Sequence, residues 1–113
     1  MSTLWNLERL QPQLKRVMAG ETLPALFWNA VQARGSQVWL RHKDLGIWQS
    51  LTWSQTGQAV RELAHGLMAL GFEHHDTASI LSNTRLEWVL SDLAVLSVGG
   101  VSSGIYPTDS AAQ

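Results

Sequence analysis

The side chains able to do chemistry in this chain are four histidines, nine carboxylates, eight lysines and arginines and a scatter of serines, with no cysteine. Their spacing limits what they can do. His74 and His75 are adjacent, and in an extended or turn segment neighbouring rings point apart, which suits them poorly to sharing one metal ion. His42 falls in a predicted hairpin and His65 on a predicted helix, neither beside a spaced carboxylate signature, so exposed or satisfied imidazoles are expected for all four. Ser79, Ser82, Ser97, Ser102, Ser103 and Ser110 include no G-x-S-x-G elbow to raise a nucleophile above a sheet. Neither G-x-x-x-x-G-K-[ST] nor G-x-G-x-x-G occurs, so no phosphate cradle is recognisable. The small run 98–104 comes nearest, but its glycines precede a predicted strand and not a helix N-terminus, the wrong geometry for anion capture. Arg85 and Glu87, two apart on a predicted helix, are not expected to face each other, and Arg85 is expected to bond outward to a loop. No catalytic, cofactor-binding or metal residue is assigned from these patterns.

The elements that hold these residues are organised around 77–108. Ser79-Ile80-Leu81 is a brief apolar run bounded by polar residues and reads as a strand. Asn83 or Thr84 can cap a following helix, with Glu87 near the positive end of its dipole. Leu86, Val89, Leu90 and Leu93 keep helical spacing, and Trp88, Val95 and Leu96 widen the stripe, so this helix should be covered on most sides. Gly99-Gly100 ends it, residues 101–105 extend as a second strand, and Pro107 stops that strand. Strand, helix and strand in about 30 residues form a parallel crossover unit. Such units belong to sheets covered by helices on both faces.

Upstream, residues 1–20 show an apolar spacing broken by Pro12. A surface helix packed on the domain is preferred there to membrane association. Thr22 caps a helix running to Arg34, with Pro24 in its first turn and Leu23, Leu26, Phe27, Ala30 and Val31 as its inner stripe. Residues 38–41 and 47–53 read as a hairpin around the loop 42–46, with Val38 and Leu40 on one face, Trp39 and Arg41 on the other, and Trp39, Trp48 and Trp53 meeting across it. Ser54 is expected to cap the next helix, with Val60, Leu63, Ala64, Leu67 and Met68 inward and Gly57 and Gly66 admitting a close neighbour. Gly71 and Phe72 close it in a Schellman arrangement. Ser110-Ala111-Ala112-Gln113 is an S-x-x-Q capping box that announces a further helix, and on it rests the expectation that the chain is the front piece of something larger.

Composition narrows the classes. With 113 residues, 45% hydrophobic and 15% charged, the chain suits one globular domain. A formal net charge of −1 makes no overall electrostatic case for nucleic acid or for an acidic membrane surface. The absence of cysteine excludes a disulfide framework and fits a reducing compartment, and no run approaches the ~18 apolar residues of a spanning helix. No basic region followed by an apolar core opens the chain, so a secretory signal is not expected and a cytoplasmic location is. Six tryptophans are expected to act as packing anchors.

The stretch Ile80-Leu81-Ser82-Asn83-Thr84-Arg85-Leu86-Glu87-Trp88 resembles the N-R-x-E-W segment of long-chain acyl-CoA synthetases, and Ile105-Tyr106-Pro107-Thr108 resembles their I-Y-P-T ending. Thr22-Leu23-Pro24, Leu51-Thr52-Trp53 and 66–71 match in the same order, so the resemblance covers about residues 22–113. His74-His75-Asp76 stands where the family has Pro-Gly-Asp, and Thr77-Ala78 where it has Arg/Lys-Val. The resemblance implies an α/β fold: a partial N-terminal subdomain of the adenylate-forming enzymes, a β-hairpin plus a parallel βαβ unit with flanking helices. It implies residues 1–21 as an extension and 22–113 as an incomplete AMP-binding domain. The intact enzyme would join a fatty acid to CoA through an acyl-adenylate, using ATP and Mg2+, and leaves room for peripheral membrane association. The family's phosphate loop, adenine pocket, ribose-binding aspartate and catalytic lysine have no counterpart here, so this chain alone is expected to be inactive and prone to self-associate. A free-standing binding module derived from the family is the other reading.

Overall fold

The computed structural model describes residues 20–110. The helix expected within 1–20 and the box ending at Gln113 lie outside the described residues. The first helix, α1 (Leu23–Arg34), begins where the Thr22 hydroxyl accepts the Ala25 N–H at 3.3 Å, with Pro24 in the first turn. Its inner face keeps Phe27 and Val31 of the expected stripe and adds Trp28, but not Leu23. Phe27 is buried, Trp28 and Val31 pack beside it, and Leu23 stands in solvent at the helix start.

β1 (Val38–Asp44) and β2 (Ile47–Thr52) form an antiparallel hairpin. It is longer than expected, because His42, Lys43 and Asp44 belong to the strand and the turn is Leu45-Gly46 alone. Both turn residues have positive φ, 49° and 79°, the backbone a tight two-residue hairpin needs. The strict alternation expected for β1 fails at its start. Val38 pairs with Thr52 but Leu40 with Leu51, so Trp39 is the extra residue of a bulge. The bulge re-aims the Trp39 ring onto Trp53, where the two stack with centroids 4.2 Å apart. Trp48 does not join them, because it sits near the far end of the hairpin, exposed.

α2 (Trp53–Ala69) is capped two residues earlier than expected. The Thr52 side chain accepts the Gln55 N–H at 3.1 Å and the Gln55 side chain accepts the Thr52 N–H at 2.9 Å, a reciprocal capping box that leaves Ser54 inside the first turn. Its buried face is made by small residues, Thr56, Gly57, Val60 and Ala64. Leu67 packs against this core, whereas Leu63 and Met68 are exposed, against expectation. Gly57 does admit a neighbour, since a Cβ there would stand 3.0 Å from Val31 Cγ1, but Gly66 has open space around it. The helix ends as expected: the Gly71 N–H donates to Met68 O and the Phe72 N–H to Leu67 O, each at 3.0 Å, with Gly71 at φ 94°.

β3 (Thr77–Leu81), α3 (Leu86–Ser97) and β4 (Val101–Ile105) make the expected crossover unit, the strands parallel and in register from Thr77 opposite Val101 to Leu81 opposite Ile105. α3 is half-buried around most of its circumference and fully buried at Ala94 and Val95. Gly99, at φ 77°, closes it: Gly99 and Gly100 donate to Leu96 O and Val95 O. The core lies where α1, α2 and α3 meet. Phe27, Val60, Ala64 and Ala94 form its centre, with Trp28, Trp39, Trp53, Leu90 and Leu93 around them. Phe27 meets Trp28 edge-on at 4.9 Å, and the Trp28 Nε1–H donates to Ser97 Oγ at 3.0 Å, so that half-buried indole keeps a partner.

Candidate functional site

The two stretches that carry the family resemblance are far apart in sequence and meet in space. β3 and β4 run parallel and end side by side, so the residues that follow them emerge at the same edge of the sheet. Ser82, Asn83 and Thr84 from one strand end, and Ile105, Tyr106 and Pro107 from the other, line a groove of about 490 Å3 with Trp88 and Gly104. A crevice at the carboxyl ends of parallel strands is where open α/β sheets bind ligands, because loops there change without disturbing the sheet. The Tyr106 backbone is held by a local turn: its N–H donates to Asp109 Oδ2 at 3.1 Å and its carbonyl accepts the Asp109 N–H at 3.0 Å. Its side chain is left exposed.

A larger groove, about 700 Å3, runs between β1 and the start of α3 and is lined by Arg41, His42, Lys43, Asp44, Arg85 and Glu87 among others. Here one sequence expectation is overturned. Arg85 and Glu87 do face each other, with Nε to Oε2 at 2.6 Å and a second hydrogen bond at 3.2 Å. The expectation took Arg85 as helical. It is instead the N-cap, extended at φ −150° and ψ 174°, and from there the guanidinium reaches the carboxylate two residues on. Neither Asn83 nor Thr84 caps α3, whose first turn has no side-chain cap hydrogen bond. The hydrogen bond from Arg85 holds the Glu87 carboxyl below its usual range, helped by a backbone hydrogen bond and by His42, and the same bond raises the guanidinium.

The histidine pair is a second correction. The His74 and His75 rings lie 3.7 Å apart between centroids and are tilted by 36°, so they do not point apart. His75 takes φ 72°, which turns its side chain towards its neighbour, and the His75 N–H donates to Gly99 O at 2.8 Å. Both rings are solvent-exposed, as expected. A contact absent from the sequence reading is the hydrogen bond from the Ser102 hydroxyl to Asp92, which ties α3 to β4. No local signal marks it, because the partners are brought together only by the crossover.

The small run 98–104 does not form a phosphate cradle. Gly99 and Gly100 are occupied by packing, since a Cβ on either would run into the His74 or Phe72 ring, and they lead into a strand. Among the described residues, no three histidine or acidic side chains gather where they could hold a metal ion.

A helix, a β-hairpin, a second helix and a parallel βαβ unit, in this order, give an α/β fold like that of adenylate-forming enzyme N-terminal subdomains. The fold matches the N-terminal subdomain of Klebsiella oxytoca NpsA with a TM-score of 0.72 at 18% identity, over 80% of this chain and 23% of that one. It matches a fatty acid AMP ligase from Legionella pneumophila with a TM-score of 0.71 at 19% identity, over 79% of this chain and 16% of that one. The sequence profile of the AMP-binding enzymes matches residues 11–113, and the chain belongs to that family. Among its relatives, the long-chain-fatty-acid–CoA ligase FadD15 of Mycobacterium bovis is 41% identical over 68 residues, 60% of this chain and 11% of that protein. The long-chain-fatty-acid–CoA ligase ACSBG2 of Rattus norvegicus is 36% identical over 90 residues, 80% of this chain and 14% of that protein. The chain thus aligns with about one-seventh or less of the length of either relative.

Proposed function

We propose that this chain is the opening part, with residues 22–113 in the AMP-binding domain, of an ATP-dependent long-chain fatty acid–CoA ligase, and that it supplies scaffold and one wall of a crevice. The intact enzyme would make an acyl-adenylate from a fatty acid, ATP and Mg2+ and pass the acyl group to CoA. The observation that carries this reading is the convergence of 82–88 and 104–107 in the groove at the carboxyl ends of β3 and β4, in a chain related to enzymes so named. The role left to these residues is positional. A parallel pair fixes the two loops, and Trp88, brought round by α3, lines the groove with them. The charge-stabilising donors and metal that adenylation needs would come from elsewhere in the intact enzyme. Alone, the chain should release no pyrophosphate from ATP, Mg2+ and palmitate above a protein-free blank.

The experiment is a graft. Residues 22–110 replace the aligned segment of rat ACSBG2, and palmitoyl-CoA formation is measured. The chimera should stay active, with KM values for ATP and palmitate within about tenfold of the parent's, since a scaffold is exchanged for a related one. A folded chimera without activity would refute the reading, as would pyrophosphate release by the chain alone.

A further inference from the structure

We propose that the tip of the β1–β2 hairpin is a membrane-docking element that seats Leu45 and Trp48 in the interfacial layer of an anionic lipid surface. The tip concentrates exposed apolar side chains: Leu45 is 95% exposed, Ile47 63% and Trp48 65%. Leu45 is the most telling. It occupies a left-handed position, φ 49°, where asparagine, aspartate or glycine would form the turn at lower cost. A leucine there gains nothing for the fold, because its side chain lies almost wholly in solvent.

Charge selects the partner. Cross-strand pairing of Lys43 with Trp48 and of Arg41 with Ser50 puts both cations on the face that carries Trp48. The Lys43 ammonium lies 5.7 Å from the Trp48 ring centroid. An indole flanked by two long basic side chains suits a headgroup layer: the ring sits at the boundary, the aliphatic stems cover apolar surface and the cations reach phosphate. The one carboxylate of the tip, Asp44, pairs with Ile47 on the other face. The Arg85 and Glu87 charges across the neighbouring groove compensate each other. A two-residue turn is also convex, and a convex apolar tip inserts into a deformable layer without a matching pocket. The inference rests on the exposure and register of the hairpin, not on the ligase reading.

The test is sedimentation of the 113-residue chain with vesicles, either of phosphatidylcholine alone or of phosphatidylcholine and phosphatidylglycerol in equal parts. The double change Leu45→Ser and Trp48→Ser should lower partitioning into mixed vesicles about tenfold or more, since binding scales with the apolar area inserted. Changing Arg41 and Lys43 to serine should lower it about tenfold on mixed vesicles and leave pure phosphatidylcholine little affected. Serine at Leu81 and Val101, also exposed but outside the hairpin, serves as the control and should change neither. All substituted side chains are exposed or nearly so, and circular dichroism checks that each variant folds. Partitioning unaffected by the tip changes, or lowered equally by the control pair, would overturn the proposal. So would a loss of self-association without lipid in the tip variant, which would assign the tip to a second copy of the chain.

Discussion

The two halves of the molecule bury their apolar surface very differently. Where α1, α2 and α3 meet the foot of the hairpin, Phe27, Val60, Ala64 and Ala94 are enclosed by Trp28, Trp39, Trp53 and aliphatic side chains, and the Trp28 N–H is satisfied. In the β3–β4 pair, Leu81 is 66% exposed and Val101 52%, and among the described residues the two strands pair only with each other. Parallel strands are ordinarily covered on both faces and flanked by further strands, and a two-stranded sheet alone is marginal. The aromatic half is thus closed on itself, whereas the parallel half presents surface that a larger sheet would cover. The proposed crevice lies on the open half, so its loops are held chiefly by the α3 crossover.

The largest effect should come from breaking the closed half. Phe27→Ala removes a ring that contacts Trp28, Trp39 and Trp53, and a buried phenylalanine truncated in this way typically costs about 3–5 kcal/mol. Leu81→Ala, at a side chain largely in solvent, should cost less than about 1 kcal/mol. Urea titrations of both variants check the contrast. Hydrogen exchange should show β3 and β4 amides less protected than those of α1 and α2 in the parent chain. Equal costs at the two positions would remove the distinction.

The features legible in the sequence are those written in local chemistry. Both glycine-closed helix ends, the Thr22 cap, the hairpin and the parallel unit were within reach of spacing and turn residues, because each is decided within a few positions. Some misses are local, such as the Thr52 cap, the Arg85–Glu87 pair and the His74–His75 contact, where the backbone conformation of one residue decides the outcome, and others depend on long-range geometry. The bulge at Trp39 exists to stack its ring on Trp53, a residue the alternation of β1 cannot see. Leu63 and Met68 fit the helical stripe of α2, but its neighbours approach through Thr56, Gly57 and Val60, whose small size is itself what allows that contact. The groove at the strand ends was legible only as two matching stretches, and parallel pairing had to join them.

An intermediate effect concerns the start of α2. Thr52 is both the last residue of β2 and the cap of the helix, so one side chain connects the hairpin to the closed half. Thr52→Ala should cost about 1 kcal/mol, the usual value for a lost cap. Gln55→Ala should cost less, because it removes only the returning hydrogen bond. Urea midpoints order the two, and a reversed order would mean that the Thr52 hydroxyl is not what stabilises the junction.

The smallest effect separates the starts of α2 and α3 by pH. α2 opens on a neutral box of threonine and glutamine, and α3 opens on the ionised pair Arg85 and Glu87. Because hydrogen bonding from Arg85 lowers the Glu87 pKa in the folded chain, the pair's contribution is present above the ordinary carboxylate range. It is lost as pH falls through the depressed folded value. The same protonation removes the negative charge that favours the helix dipole at that end. Both side chains are open to solvent, so the loss should appear as fraying of the first turn and not as global unfolding. Protection factors of the α3 first-turn amides should therefore fall on acidification while those of α2 hold, and Glu87→Gln should show the acid level of fraying already at neutral pH. If both helix starts lost protection in parallel, or if Glu87→Gln retained the pH response, the charged pair would not be what orders the start of α3.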